Sequence, residues 1–394
     1  MSRAHRISRR TFLGMSAAVG AASLLGACQP GAGRPGSEPA GAGRADPSPR
    51  ADEWERLLEA ARREGQINLY GGSGQDNRNA LVTPFERAFP GIRVNGTFAP
   101  GRDLVARISA ERTAGRNIAD VLIGPGASGI FPLKPVGALA PLPPALVLPE
   151  VTDTSKWLDN KLWFLDAQEP LTTLAYEGDV NVVVTYNTRM VDPNEFTSYL
   201  DLLNPKWKGR MCATDVRLPG AGAVPTRFWY VHPELGPQFI ERLFGEMAMT
   251  LSADQRQLID WVAQGVYPVG LLLNFVEVIP AIEQGLPIAL LRGDQFKEGA
   301  ALGPAGGTVS IVDSGPNPNA AAVFVNWLLS REGQMSWQDN VKGNSLRIDI
   351  PKDNVAPVYV PKPGLTYLNA GAEEYAVLSG TEIGPLITRV LEKR

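Results

Sequence analysis

The strongest constraint on this chain is an alternation of strand and helix signals across residues 67–123. Ile67 to Tyr70 reads as a short strand, followed by the turn Gly71-Gly72-Ser73-Gly74. A helical apolar spacing runs from about 77 to 88 and closes at Phe89-Pro90-Gly91. Residues 92–98 read as a second strand, 104–114 as a helix, and 119–123 as a third strand ending at Gly124-Pro125-Gly126. Ahead of them, Trp54, Leu57, Leu58 and Ala61 mark a helix over 53–64 that Gly65 ends. The order β-α-β-α-β implies a parallel sheet, because parallel neighbours need a crossover helix and the crossover is right-handed.

A Pro-rich stretch, 132–149, interrupts the pattern, which then resumes. Strands are expected at 180–186, 211–215, 266–273, 288–291 and 308–312, and helices at 235–247, 253–264 and 319–330. No internal repeat is visible. From Asp52 onward about 340 residues remain, more than one ordinary core holds and comfortable for two. The expectation is an α/β chain of two lobes, each built on a mixed parallel sheet. Residues 51–178 and 283–340 are assigned to lobe 1, and 179–282 and 341–394 to lobe 2.

The N-terminus carries an address. Arg3, Arg6, Arg9 and Arg10 precede an apolar, small-residue run from Gly14 to Leu25. That is the layout of a signal peptide, and the run is shorter than the about 20 apolar residues that cross a bilayer. Ser8-Arg9-Arg10-Thr11-Phe12-Leu13 resembles the twin-arginine export signature, and Leu25-Gly26-Ala27-Cys28 resembles a lipobox. Residues 1–27 are therefore expected to be removed and Cys28 to take the lipid. Residues 28–50, rich in Gly, Pro, Ala, Ser and Arg, read as a flexible tether. The expected place is the periplasmic or extracellular face of the cytoplasmic membrane.

Composition narrows the functions. The chain has 394 residues, 44% hydrophobic and 20% charged, which is globular usage. Losing residues 1–27 removes four arginines and no acid, so the net charge moves from −3 to −7. An acidic mature chain without a basic cluster argues against a nucleic-acid partner. With Cys28 lipidated, Cys212 has no intramolecular disulfide partner. His232 is the one histidine after processing, so a His-rich zinc site is excluded, and it reads as a surface or capping residue.

Several stretches, in order, resemble the extracellular solute-binding proteins of ABC importers, including the ferric-iron, thiamine and aminophosphonate binders. They are Glu64-Gly65, the run Ala88-Phe89-Pro90-Gly91-Ile92-Arg93-Val94, Glu111-Arg112 and Ala119-Asp120-Val121. Thr185-Tyr186-Asn187-Thr188, residues 201–210, Pro316-Asn317-Pro318-Asn319-Ala320-Ala321 and Leu328-Leu329-Ser330-Arg331-Glu332-Gly333-Gln334 continue the series. The resemblance spans roughly residues 53–350. It implies the type II periplasmic-binding-protein fold, two lobes joined by hinge strands and closing on ligand. It also implies a small-molecule ligand, an ABC permease as partner, and neither catalysis nor a cofactor; together with the lipobox at Cys28, the expectation is a lipid-anchored monomer.

In such a fold ligand lies outside the carboxyl ends of the strands. The candidate contacts are Gly72, Ser73 and Gly74 after the first strand, where free amides at a helix start attract polar or anionic groups. Ser128 stands in the matching loop after the third strand. Arg217 is placed to clamp a carboxylate or phosphonate, with a solvated surface arginine as the competing reading. Asn274 ends the strand that enters from lobe 2. Tyr186 is carried on the inter-lobe strand, where core packing competes. The ferric binders share an adjacent tyrosine pair, whereas this chain reads Leu273-Asn274-Phe275-Val276-Glu277 and contains no Tyr-Tyr. The expectation is a polar or anionic organic solute. The alternatives are ferric iron on other ligands, an exported hydrolase, for which no Gly-x-Ser-x-Gly elbow is present, or a sensor.

Overall fold

A computed structural model describes residues 49–218 and 222–393, with residues 49–51, 275 and 276 described by backbone alone. The twin-arginine string, the lipobox, Cys28 and the tether up to residue 48 lie outside the described residues.

The first sheet has six strands. From one edge they are Arg93–Ala99 (β2), Gln66–Gly72 (β1), Val121–Ile123 (β3), Thr308–Ile311 (β13), Leu174–Ala175 (β5) and Trp163–Phe164 (β4). The β-α-β-α-β segment forms the parallel part, with Leu69 opposite Val121, and β13 enters antiparallel to β3. Helices cover both faces. Ile67, Leu69, Val121 and Ile123 pack with Phe85, Phe324 and Trp327, while Tyr70 and Leu122 pack with Leu104 and Ile108 on the other side. That two-sided burial is why β3 reads as an unbroken apolar run rather than an alternating one.

The second sheet has five strands: Ile288–Arg292 (β11), Val182–Asn187 (β7), Val269–Leu271 (β10), Met211–Thr214 (β8) and Thr250–Ser252 (β9). β10, β8 and β9 are parallel, and β7 runs against β10 and β11. It too is covered on both faces, by Trp229, Phe239, Leu243 and Phe244 on one side and Leu258, Val262 and Val278 on the other. Cys212 is fully buried in β8 and unpaired, and burial pushes its thiol up to about 12, which leaves it inert.

A third sheet, absent from the sequence reading, joins Tyr367–Asn369 (β14), Ala300–Gly303 (β12) and Asp179–Val180 (β6). The chain passes from β5 through β6 to β7, and returns from β11 through β12 to β13. These two crossings are stitched together: Asn181 N donates to Ala301 O at 3.1 Å, and Ala301 N donates to Asn181 Oδ1 at 2.9 Å.

Several segments differ from expectation. The helix expected over 77–88 is two, Gln75–Leu81 and Thr83–Ala88, because Pro84 brings no N–H to a continuous ladder and suits a helix start. The strand expected over 266–273 shrinks to β10, bounded by Pro268 and by Leu272 at φ 61°. β11 stands in the second sheet although its residues fall in the segment given to lobe 1. Ser345 and Arg347 bridge to Glu177 and Trp157, although 341–394 was given to lobe 2. Strand partners set these memberships, and apolar spacing does not encode partners. Among the described residues no helix is long and apolar enough to cross a membrane.

Candidate functional site

A cleft of about 600 Å³ opens between the first and second sheets. Its walls are the loops that leave β3, β8, β9 and β10 at their carboxyl ends, together with the crossing segment around Asp179 and Asn181.

On the first-sheet side the wall is Gly124 to Ser128. Gly124 (φ 111°) and Gly126 (φ 53°) take backbone conformations that side chains resist, and they turn the chain sharply into the helix Ala127–Leu133. Gly126 N donates to Thr308 Oγ1 at 3.0 Å, and Ser128 Oγ donates to Pro125 O at 2.6 Å. At the far end of that helix, Lys134 Nζ donates to the buried carboxylate of Asp166 at 2.9 Å, which also accepts from Thr172 N and Thr173 N. The loop is thus anchored at both ends.

On the second-sheet side Gln255 holds two strand ends together. Its Oε1 accepts from Asn274 N at 2.8 Å, and its Nε2 donates to Thr214 Oγ1 at 3.1 Å. Thr214 Oγ1 in turn donates to Leu272 O at 2.6 Å. Arg227 projects from the helix Ala223–Val231. Its Nε donates to Ser379 Oγ at 2.7 Å and its Nη1 to Ala370 O at 3.0 Å. Burial lowers its pKa, and no neighbouring charge opposes that shift.

The crossing segment contributes Asp179 and Asn181. Glu177 and Asp179 are buried side by side. Burial, and then the charge of Asp179, push the Glu177 carboxyl well up, against a hydrogen bond from Trp337 Nε1 at 2.9 Å. Burial pushes Asp179 up to about 7, opposed by the Asn344 amide at 2.8 Å and the charge of Lys352. Burial pushes Lys352 down to about 8. Asn181 is 6% exposed, and among the described residues its Nδ2 donates to no group.

Of the sequence candidates, Ser128 and Asn274 line the cleft. Gly72, Ser73 and Gly74 do not. β1 lies one strand farther from the crossings than β3, and Asn77 Nδ2 folds back onto the carbonyls of Gly72 and Ser73. Tyr186 is buried in the second-sheet core. Arg217 is exposed and committed to Asp215 through a 2.6 Å ion pair, so it clamps its own neighbour. The side chain of Phe275 lies outside the described residues. The lining residues Asp179, Asn181, Thr214, Arg227 and Gln255 were not among the sequence candidates. Two signals mark them: Asn181, one polar residue breaking the β-branched run Val180 to Val184, and a single charge in the apolar helix around Arg227. His232 ends that helix, its Nδ1 accepting from Glu234 N at 3.2 Å. None of the nine tyrosines is among the described lining residues, and among the described residues no three His, Cys, Asp or Glu side chains converge.

A profile of the family described as bacterial extracellular solute-binding protein matches residues 71–335. Iron uptake protein A1 of Synechocystis sp. is 27% identical over 209 residues, 52% of this chain. The match spans about half, 48%, of that relative's length. Two solved structures superpose on most of the chain. The Trichodesmium protein IdiA (FutA), in complex with iron and citrate, has a TM-score of 0.61 at 21% identity, covering 83% of this chain and 99% of that one. AfuA from Actinobacillus pleuropneumoniae, with exogenous fructose-6-phosphate bound, has a TM-score of 0.55 at 17% identity, covering 84% and 97%. At these identities the superpositions establish the type II periplasmic-binding-protein fold.

Proposed function

Because this chain belongs to the bacterial extracellular solute-binding protein family, one of binding proteins rather than enzymes, we propose that it captures a small polar or anionic organic solute and delivers it to the permease of an ABC importer. Capture is by closure of the two lobes about the crossings at 175–182 and 292–308. The protein works as a monomer, held at the periplasmic or extracellular face of the cytoplasmic membrane by lipid on Cys28.

The observation that carries this reading is the cleft itself. Its volume of about 600 Å³ suits a small organic molecule. Its walls alternate apolar surface, from Val182, Leu218, Val224 and Leu273, with polar groups from both sides. A hard metal ion is held by several anionic oxygens. The described lining offers one carboxyl, Asp179, already turned toward Asn344 and Glu177, and this favours an organic solute over ferric iron.

The test has two arms. In a bacterial host, Cys28→Ser is expected to move the chain from the membrane to the soluble fraction. Unchanged fractionation overturns the anchor. The purified full chain is then screened by thermal shift against organic acids, phosphate esters, sugars, amines and ferric citrate. An organic probe is expected to raise the melting midpoint and to be recovered unaltered. Turnover of that probe, or a response to iron alone with a visible charge-transfer band, overturns the reading.

A further inference from the structure

We propose that the solute is an oxyanion, a carboxylate or a phosphate ester, and that Arg227 is the residue that receives it. This rests on the binding-protein reading above and names the ligand class of the same cleft.

Two independent observations converge. The first is the charge at Arg227. It is the one basic side chain among the described lining residues, and its two hydrogen bonds go to neutral acceptors, Ser379 Oγ and Ala370 O. Among the described residues it forms no ion pair, unlike Arg217 with Asp215 or Arg292 with Asp294. A half-buried cation without a counter-charge loses part of its hydration without compensation, and an anion bound beside it supplies what is missing. Among the described residues Nη2 completes no hydrogen bond, so this nitrogen of the guanidinium remains for an oxygen partner.

The second observation is Asn181. Its Oδ1 is fixed by Ala301 N, which sets the orientation of the amide and leaves Nδ2 a buried donor without an acceptor among the described residues, in the same cleft. Buried polar groups are ordinarily paired, so this donor calls for an acceptor from the ligand. Asp179, the acid of the lining, does not supply the missing counter-charge. Its carboxylate is engaged by Asn344 N and shares a hydrogen bond with Glu177. The described lining of the cleft therefore holds a surplus of donors and one positive charge without a counter-charge, and the complementary ligand is rich in acceptors and negative.

The test compares the full chain with Arg227→Gln and Arg227→Lys in a buffer free of oxyanions. The probes, at equal millimolar concentration, are inorganic phosphate, glycerol phosphate, succinate and citrate, with choline and glucose as the cationic and neutral arms. At least one oxyanion is expected to raise the wild-type melting midpoint while choline and glucose do not. Arg227→Gln is expected to weaken that response at least about tenfold in apparent affinity, and Arg227→Lys, which keeps the charge but not the fork, to fall between. Without anion, Arg227→Gln is expected to melt no lower than the wild type, since it removes an unpaired charge. Whether phosphates or carboxylates act more strongly separates the two sources. Equal oxyanion responses in wild type and Arg227→Gln overturn the proposal. So does a variant that melts far below the wild type in the absence of anion, which marks a structural arginine. A response to choline or glucose alone overturns it while leaving the binding reading intact. No response to any probe overturns both.

Discussion

Asn317 donates both its backbone N–H and its side-chain Nδ2 to the carboxylate of Asp120, at 2.7 and 2.9 Å, across 197 residues of sequence. Asn68 N donates to the same carboxylate at 2.7 Å. One buried acid thus ties β1 to the start of β3 and to the start of the helix Pro318–Leu329. Glu64 does the same from another side, accepting from Asn319 Nδ2 at 2.6 Å and Ala320 N at 2.7 Å. Asp120→Ala leaves several buried donors unsatisfied and is expected to cost about 2–4 kcal/mol in urea unfolding. Asp120→Asn, which keeps an acceptor, is expected to cost less. Equal losses in the two variants would contradict this bonding.

The Glu177–Asp179 pair predicts a pH signature. Tyr176, Trp337, Lys352 and Tyr359 surround it. Asp179 holds its proton more tightly folded than unfolded, so its contribution is fully present below the ordinary value of 3.8 and is lost as pH rises toward about 7. Lys352 acts in a separate window, adding stability as pH rises from about 8 toward 10.5. Asp179→Asn is therefore expected to gain on the wild type steadily between pH 3.8 and about 7. Thermal melts across that window measure it, and parallel curves for the two proteins would rule it out.

Thr308 holds the cleft loop from outside. Thr308→Val preserves shape but strips the acceptor from Gly126 N, with an expected cost of about 1–2 kcal/mol. Because Gly126 starts the wall that carries Ser128, solute affinity is expected to fall together with stability. Calorimetric titration with the best probe from the thermal-shift screen checks this. Unchanged affinity would show that the wall does not depend on this bond.

Gln255 and Arg217 make a contrasting pair. Gln255→Ala cuts the link between Asn274 N and Thr214 Oγ1 in the cleft wall, and is expected to weaken binding by about tenfold. Arg217→Ala removes an exposed charge paired with Asp215, and is expected to change stability by under about 0.5 kcal/mol and binding not at all. A binding loss in Arg217→Ala would restore the role that the sequence alone suggested.

Legibility followed the range of the interaction. The β-α-β-α-β segment was readable because its period, turns and apolar runs are local. The stretches around Glu64, Asp120 and Asn317 were readable as a family pattern, but their role was not, since each acid meets its partners from a distant segment. Ser128 and Asn274, picked by the rule that ligands gather beyond strand ends, line the cleft. Gly72, Ser73 and Gly74 obeyed the same rule and missed the cleft, because only strand order places β3, and not β1, beside the crossings.

The sequence by itself determined the α/β class of the chain, since composition and periodicity are properties of neighbouring residues. Tertiary structure alone decided that, among the described residues, Arg217 is neutralised by Asp215 while Arg227 meets no counter-charge, and that Asn181 keeps a buried donor unpaired. Both arginines carry the same charge in the sequence. What separates them is which groups the fold brings within hydrogen-bond reach and how much water it leaves, and neither is written in the spacing of residues along the chain.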